Sequence, residues 1–258
     1  MLGAIAGDII GSIHEGYAAQ DKTFALFTPA SRFTDDSVMT IAVASVRRQG
    51  EDYVTALRRW GRRYPDAGYG GRFKQWLVVR EPKPYNSFGN GSAMRVSPVG
   101  WAFDALDYVL AEARRSAEVT HDHPEGIKGA QAVAGAVWLA RHGGDKKQIR
   151  QFFTERFGYD CSASLVQLRE HSHFDVTCQG TVPAAAVAFL EAEDFEDAIR
   201  NAVSLGGDAD TLACISGALA QAYYGSVPDA IRHEVLARLD QPLRHEVEAF
   251  TQRYGGGN

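Results

Sequence analysis

The chain has 258 residues, 45% of them hydrophobic and 23% charged, enough apolar material to bury a sizeable core in one large domain or two small ones. Its 27 basic and 32 acidic residues give a formal net charge of −5 with no basic stripe, which argues against nucleic acid as the main partner. Mean hydropathy is −0.24 and no apolar run reaches the roughly 18 residues of a membrane span, so no membrane role is expected.

The start, MLGAIAGDIIG, carries no basic stretch before its apolar residues, so a secretory leader is not expected. Gly7, Asp8 and Glu15 follow in GDIIGSIHEG. Asp8 reads as a local cap or pair. Glu15, in a glycine-bounded loop, reads equally as a solvated acid or as a ligand.

RFTDDSVMT begins the first clear helix. Val38, Ile41, Ala42 and Val46 recur at three-to-four spacing and close near Gly50. Thr34 is a good N-cap, and Asp35 and Asp36 complement the helix dipole, so capping alone accounts for this start. Helices over 52–64 and 73–79 follow, then an irregular Pro/Gly/Asn-rich loop over 81–91. Further helices are predicted over 105–117, 126–141, 147–157, 182–192, 195–204, 211–223 and 234–254.

Ala-rich segments such as GAQAVAGAVWLA and ACISGALAQAYYG suit helices packed on all sides. Runs of Val and Ile of strand length are scarce, which argues against a doubly wound α/β fold. The expected architecture is all-α: a compact single-domain orthogonal helical bundle over 1–254, with a Gly-rich tail over 255–258.

The three cysteines, Cys161, Cys178 and Cys214, are odd in number and lack C-x-x-C spacing, so neither disulfides nor a zinc site is expected. This fits a reducing, cytoplasmic setting. His171 and His173 read as a solvated loop, His123 as a helix-entry residue, and Arg58, Arg59, Arg62 and Arg63 as a solvated face.

LGGDADTLA, over 205–213, supplies a second acidic helix start, with Asp208, Asp210 and the hydroxyl of Thr211. Its two glycines permit positive φ and close approach to a ligand. Two facing carboxylate pairs would repel, and divalent cations with a preference for hard oxygen donors remove that repulsion.

Five ordered motifs resemble the ADP-ribosylglycohydrolase family: GDIIGSIHEG (7–16), FTDDSVMT (33–40), SFGNGSAMRVSPVG (87–100), VTHDHPEGIKGA (119–130) and GGDADTLA (206–213). The resemblance implies an all-α fold with two Mg²⁺ ions, Mn²⁺ being possible, ligated by Thr34, Asp35, Asp36, Asp208, Asp210 and Thr211. It places Glu15 at a mobile, site-closing glutamate and makes Asp35 or Asp36, with preference for Asp36, the group that orients or deprotonates the attacking water. It assigns substrate contacts to Asn86, Ser87, Phe88, Gly89, Asn90, Gly91 and His121, and places Gly70 and Gly71 near a diphosphate. On the residues themselves, N–H groups at Gly89 to Gly91 suit a diphosphate and Ser92 suits a cap for a short helix.

Ser37 stands where many family members carry Thr, and a hydroxyl remains. The expected activity is hydrolysis of the glycosidic bond between ADP-ribose and an acceptor, through water activated at a dinuclear centre. The expected partner is the ADP-ribose moiety of a modified protein or small molecule, nucleic acid entering only as a modified substrate, and the expected state is a monomer. The alternatives are a non-catalytic ADP-ribose-binding or crystallin-like structural protein, and another two-metal hydrolase.

Overall fold

The computed structural model describes residues 1–18 and 21–255, and among these it contains fifteen α-helices, one π-helical turn and no strand beyond an isolated bridge between Gly89 and Thr177. The all-α expectation holds. In order the helices are α1 (Leu2–Gly11), α2 (Asp35–Gln49), α3 (Tyr53–Arg63), α4 (Gly71–Val78), α5 (Gly91–Met94), α6 (Ser97–Ala102), α7 (Leu106–Glu118), α8 (Pro124–Arg141), α9 (Lys146–Gln151), α10 (Leu165–Glu170), α11 (Cys178–Leu190), α12 (Phe195–Ser204), α13 (Ala209–Tyr224), α14 (Asp229–Arg238) and α15 (Gln241–Tyr254). None is long and apolar enough to cross a membrane. All three cysteines are free and buried.

The core is built on α1 and α13, the most extensive helix pair in the chain. Every residue of α1 is buried. Glycines at four-residue spacing make the approach possible: a Cβ on Gly3 would lie 2.3 Å from the Gly217 carbonyl oxygen, and one on Gly7 would lie 1.9 Å from that of Ala213. Backbones can meet this closely only where side chains are absent. α11 and α12 pack on α13, while α2 packs on α1, α3 and α15.

Chain-local signals set most helix ends. Thr34 accepts the Asp36 N–H at the start of α2, and Gly50 ends it in the left-handed conformation at φ 70°. His123 caps α8 by accepting the Glu125 N–H, as expected of a helix-entry residue.

Three expectations need correction. α1 was not anticipated, because apolar residues surround it on all faces and leave no period of 3.6. The helix expected over 234–254 is two helices, since Asp240 caps a new start by accepting the Leu243 N–H and Pro242 has no N–H to continue the old one. The helix expected over 147–157 gives way to a π-helical turn over Phe152–Arg156.

The arginines of α3 are also more than a solvated face. Arg58 and Arg62 donate to the Leu77 carbonyl and Arg58 also to that of Val79, closing the C-terminal end of α4. Of the expected tail, residues 256–258 lie outside the described residues and Gly255 caps α15.

Candidate active site

A cavity of about 500 Å³ opens between the start of α2, the loop before α4, the 85–95 segment and the start of α13. Its lining includes Glu15, Thr34, Asp35, Asp36, Gly71, Ser87, Gly89, Asn90, Gly91, His121, Asp208, Asp210 and Thr211. Residues about 175 apart in sequence thus meet: the Thr211 hydroxyl lies 3.3 Å from Asp36 Oδ2.

Backbone geometry brings the acids together. Gly206 and Gly207 turn the chain into α13 at φ 72° and 67°. The Gly16 N–H donates to the Gly207 carbonyl at 2.7 Å and the Gly207 N–H to that of Tyr17 at 2.9 Å, pinning the Glu15 loop beside Asp208. Carboxylate oxygens of Glu15, Asp208 and Asp210 lie within 4.8 Å of one another, as do those of Asp8, Asp36 and Asp210.

The electrostatic consequence is severe. Burial, then Asp210, pushes Asp8 up to about 7; burial, then Asp210 and Asp8, pushes Asp35 up to about 8. Burial and the neighbouring acids raise Asp36 and Asp208 well above the usual carboxylate range. Asp36 Oδ1 is fully buried and meets no hydrogen-bond donor. An orphaned carboxylate oxygen among like charges fits a hard cation, since oxygen-only donors are what Mg²⁺ and Mn²⁺ take.

Asp8 differs from the other acids. It accepts the N–H and hydroxyl of Thr34 at 2.9 and 2.6 Å, the Ser37 N–H at 3.0 Å, and the Ser37 hydroxyl. It takes up Thr34's only hydroxyl proton, so Thr34 Oγ1 can turn a lone pair to the cavity. This answers to Ser37 as well: its hydroxyl holds Asp8.

The opposite wall is less acidic. Asn90 donates to Asp208 Oδ2 and to Thr181 Oγ1, so it positions an acid as well as lining the cavity. The Gly89 N–H donates to Ser87 Oγ and the Asn90 N–H to the Val176 carbonyl, so two of the three N–H groups expected to serve a diphosphate are already engaged. Ser92 does not cap α5; it lies inside the helix and donates to the Gly126 carbonyl at 2.7 Å.

Asn86 and Phe88 are not among the lining. Asn86 sits at φ 53° with its N–H on Asp122, and Phe88 is 44% exposed with its ring tilted over His123. His171 and His173 are exposed.

A model of the family described as ADP-ribosylglycohydrolase matches residues 1–256. The chain belongs to the ADP-ribosylglycohydrolase family. Human ADP-ribosylhydrolase ARH3 is 29% identical over 312 positions, covering 89% of this chain and 86% of the relative. ADP-ribosylarginine hydrolase Tri1 of Pseudomonas putida (strain GB-1) is 27% identical, covering 87% and 69%. A solved structure described as an ADP-ribosylglycohydrolase-related protein complex aligns at TM-score 0.71 and 30% identity, over 96% of this chain and 93% of that one. The 312 positions aligned with the human relative exceed the 258 residues here, so that relative carries segments with no counterpart in this chain.

This ADP-ribosylglycohydrolase is therefore an enzyme, and its cavity is shaped by residues that the sequence reading did not assign to the site. Asp8, Arg32, Asp66, Arg72, Tyr85 and Arg95 all shape the site, Asp8 from behind Thr34 and the rest from its walls. Only Asp8 left a trace in the sequence, as a charge inside an apolar run. The others are ordinary residues until the fold places them.

Proposed function

We propose that this glycohydrolase cleaves the glycosidic bond between ADP-ribose and an acceptor, with two divalent cations, Mg²⁺ or Mn²⁺, at the acidic end of the cavity. The observation that carries the reading is the convergence of Asp36, Asp208 and Asp210 with Thr34 and Thr211 around an unpartnered, buried Asp36 oxygen. Thr34, Asp35, Asp36, Asp208, Asp210 and Thr211 would hold the ions, which supply Lewis acidity and the counter-charge for these acids.

The chain's own groups divide the remaining work. The bond from C1 of the ribose to the acceptor nitrogen or oxygen breaks, water adds at C1, and the acceptor leaves with a proton. Asp36 is 2% exposed and suits holding a cation, whereas half-buried Asp35 reaches the cavity and suits orienting the water or taking its proton. Glu15, exposed at the rim and raised by burial and by Asp210 against Arg32, suits closing over the bound ribose.

Gly70 and Gly71 stand at the start of α4 with open space where a side chain would be, which gives a diphosphate access to the free N–H groups of that helix. Arg72 lies beside them over the Tyr85 ring at 4.8 Å. Ser87, Gly89, Gly91 and His121 line the ligand's path, and exposed Phe88 would flank the ligand from outside that lining.

The test is a panel of ADP-ribosylated substrates with defined arginine, serine, nucleic-acid and O-acetyl linkages, assayed with Mg²⁺ and with Mn²⁺. Release of ADP-ribose from at least one linkage, lost in Asp35→Ala, is expected. Binding of ADP-ribose without turnover on any linkage, or release of inorganic phosphate instead, would defeat the reading.

A further inference from the structure

We infer that Arg95 and Thr120 are positioning residues that fix the tautomer of His121, so that its ring presents an Nε2–H donor to the cavity. The inference deepens the reading of the cavity as an ADP-ribose site and rests on it for the identity of the ligand.

Arg95 is the starting point. It is 1% exposed, lines the cavity, and among the described residues has no carboxylate partner. Its Nη2 donates to the Ser116 carbonyl at 2.6 Å and to Thr120 Oγ1 at 2.9 Å. Burying a guanidinium without a counter-charge is expensive, and an apolar side chain of similar volume would fill the space at less cost. The position therefore needs the charge or the donors.

Thr120 passes the constraint on. A guanidinium only donates, so Thr120 Oγ1 is the acceptor of that bond. Thr120 is fully buried, and its other side-chain partner is His121 Nδ1 at 2.7 Å. If Nδ1 carried a proton, Oγ1 would receive two donors and its own hydroxyl proton would be left buried without an acceptor, which folded proteins avoid. The hydroxyl proton therefore goes to Nδ1, and the ring proton sits on Nε2.

The imidazolium is excluded as well, because burial, then Arg95 and Arg72, holds the His121 pKa well below its usual value. The Nε2 edge faces the glycine loop: a Cβ on Gly91 would lie 3.2 Å from Nε2 and one on Gly89 3.7 Å. The Tyr85 ring packs on the imidazole with centroids 5.9 Å apart. With its lone pair at Nδ1 occupied by Thr120, His121 donates to a phosphate or ribose oxygen and does not serve as a general base.

The experiment is ¹⁵N NMR of the histidine-labelled full chain, the His121 signals being assigned by their loss in His121→Asn. The wild type is expected to show a pyridine-like Nδ1 and a pyrrole-like, protonated Nε2. Thr120→Val keeps the volume but removes the hydroxyl. It is expected to lose the single-tautomer pattern and to weaken ADP-ribose binding about tenfold, with KM rising by the same factor and kcat within about twofold. Thr120→Ser is expected to restore both.

A wild-type proton on Nδ1 overturns the inference, as does a Thr120→Val variant with unchanged spectrum and affinity. The wild-type spectrum decides the tautomer even where Thr120→Val fails to fold. A wild type that releases ADP-ribose with the proton on Nδ1 sinks the inference alone. One with the Nε2 proton that binds no ADP-ribose sinks the functional reading alone.

Discussion

The two ends of the cavity solve opposite problems. At the acidic end, Asp8, Asp35, Asp36, Asp208 and Asp210 crowd together, and Asp36 Oδ1 has no donor. At the other end, Arg95, Thr120 and His121 form a hydrogen-bonded chain, Arg95 Nη2 donating to Thr120 and Thr120 meeting His121 Nδ1, which leaves His121 Nε2 for a ligand. One end is left incomplete by its own folding, with acids that could hold a cation; the other is held together by the chain and leaves a donor for a ligand. A site whose charges cannot neutralise each other advertises its cofactor, while a site of paired groups hides its purpose in its tautomers.

The most direct way to break this contrast is Asp210→Ala, because Asp210 raises nearly every other acid in the cluster. Release of ADP-ribose is expected to fall by at least about a hundredfold, with helical content by circular dichroism unchanged and ADP-ribose still bound. A variant that retains turnover would place the reaction elsewhere in the cavity.

Stability against pH sharpens the contrast further. Asp8 and Asp35 have folded-state values raised to about 7 and about 8 from 3.8, so the metal-free fold prefers them protonated. Their contribution is fully present below pH 3.8 and is lost progressively as pH rises through 7 to 8. The melting temperature of the metal-free chain is expected to fall from about pH 5 to about pH 8 as these groups ionise. Mg²⁺ at a fixed concentration, about 100 times its Kd at pH 8, is expected to add about 2.7 kcal/mol there, or about 5 to 10 °C for a chain of this size, and less at pH 5, where protons compete for the acids. Calorimetric scans with and without chelator check this, and equal Mg²⁺ shifts at both pH values would contradict it.

Asp8→Asn separates holding a ligand from being one. The amide cannot accept all the bonds that Thr34 and Ser37 give Asp8, so Thr34 Oγ1 loses its orientation. Mg²⁺ affinity by titration calorimetry is expected to drop about ten- to a hundredfold, the usual effect of losing a group behind a metal ligand. The smallest effect is expected at Phe88, outside the cavity. Phe88→Ala is expected to raise KM about fivefold, one stacking contact, and to leave kcat in place.

The sequence revealed different parts of the molecule for different reasons. Helix starts at Thr34 and Asp240 and the end at Gly50 depend on groups a few residues apart, and of these Thr34 and Gly50 were legible while Asp240 was missed behind a continuing apolar period. The acidic clusters were legible because closely spaced acids are unusual beside apolar runs. Asp8 was misjudged as a local feature, since nothing in GDIIG shows that its carboxylate reaches Thr34 and Ser37. Ser92 was given a capping role by its neighbourhood in the chain, and packing of α5 on α8 turned its hydroxyl to the Gly126 carbonyl instead.

By itself the sequence determined the helical class and the two acidic helix starts, because those rest on periodicity, composition and short spacings, while the family showed only as the resemblance of five ordered motifs. The tertiary structure decided which acids share a centre and which residues orient them. It did so through backbone contact: glycines on α1 and α13 let two helices approach until Asp8 and Asp210 face one another, and no local signal encodes that distance. The Arg95–Thr120–His121 chain has the same origin, since a hydrogen bond between residues 25 apart exists only once helices α5 and α7 have packed.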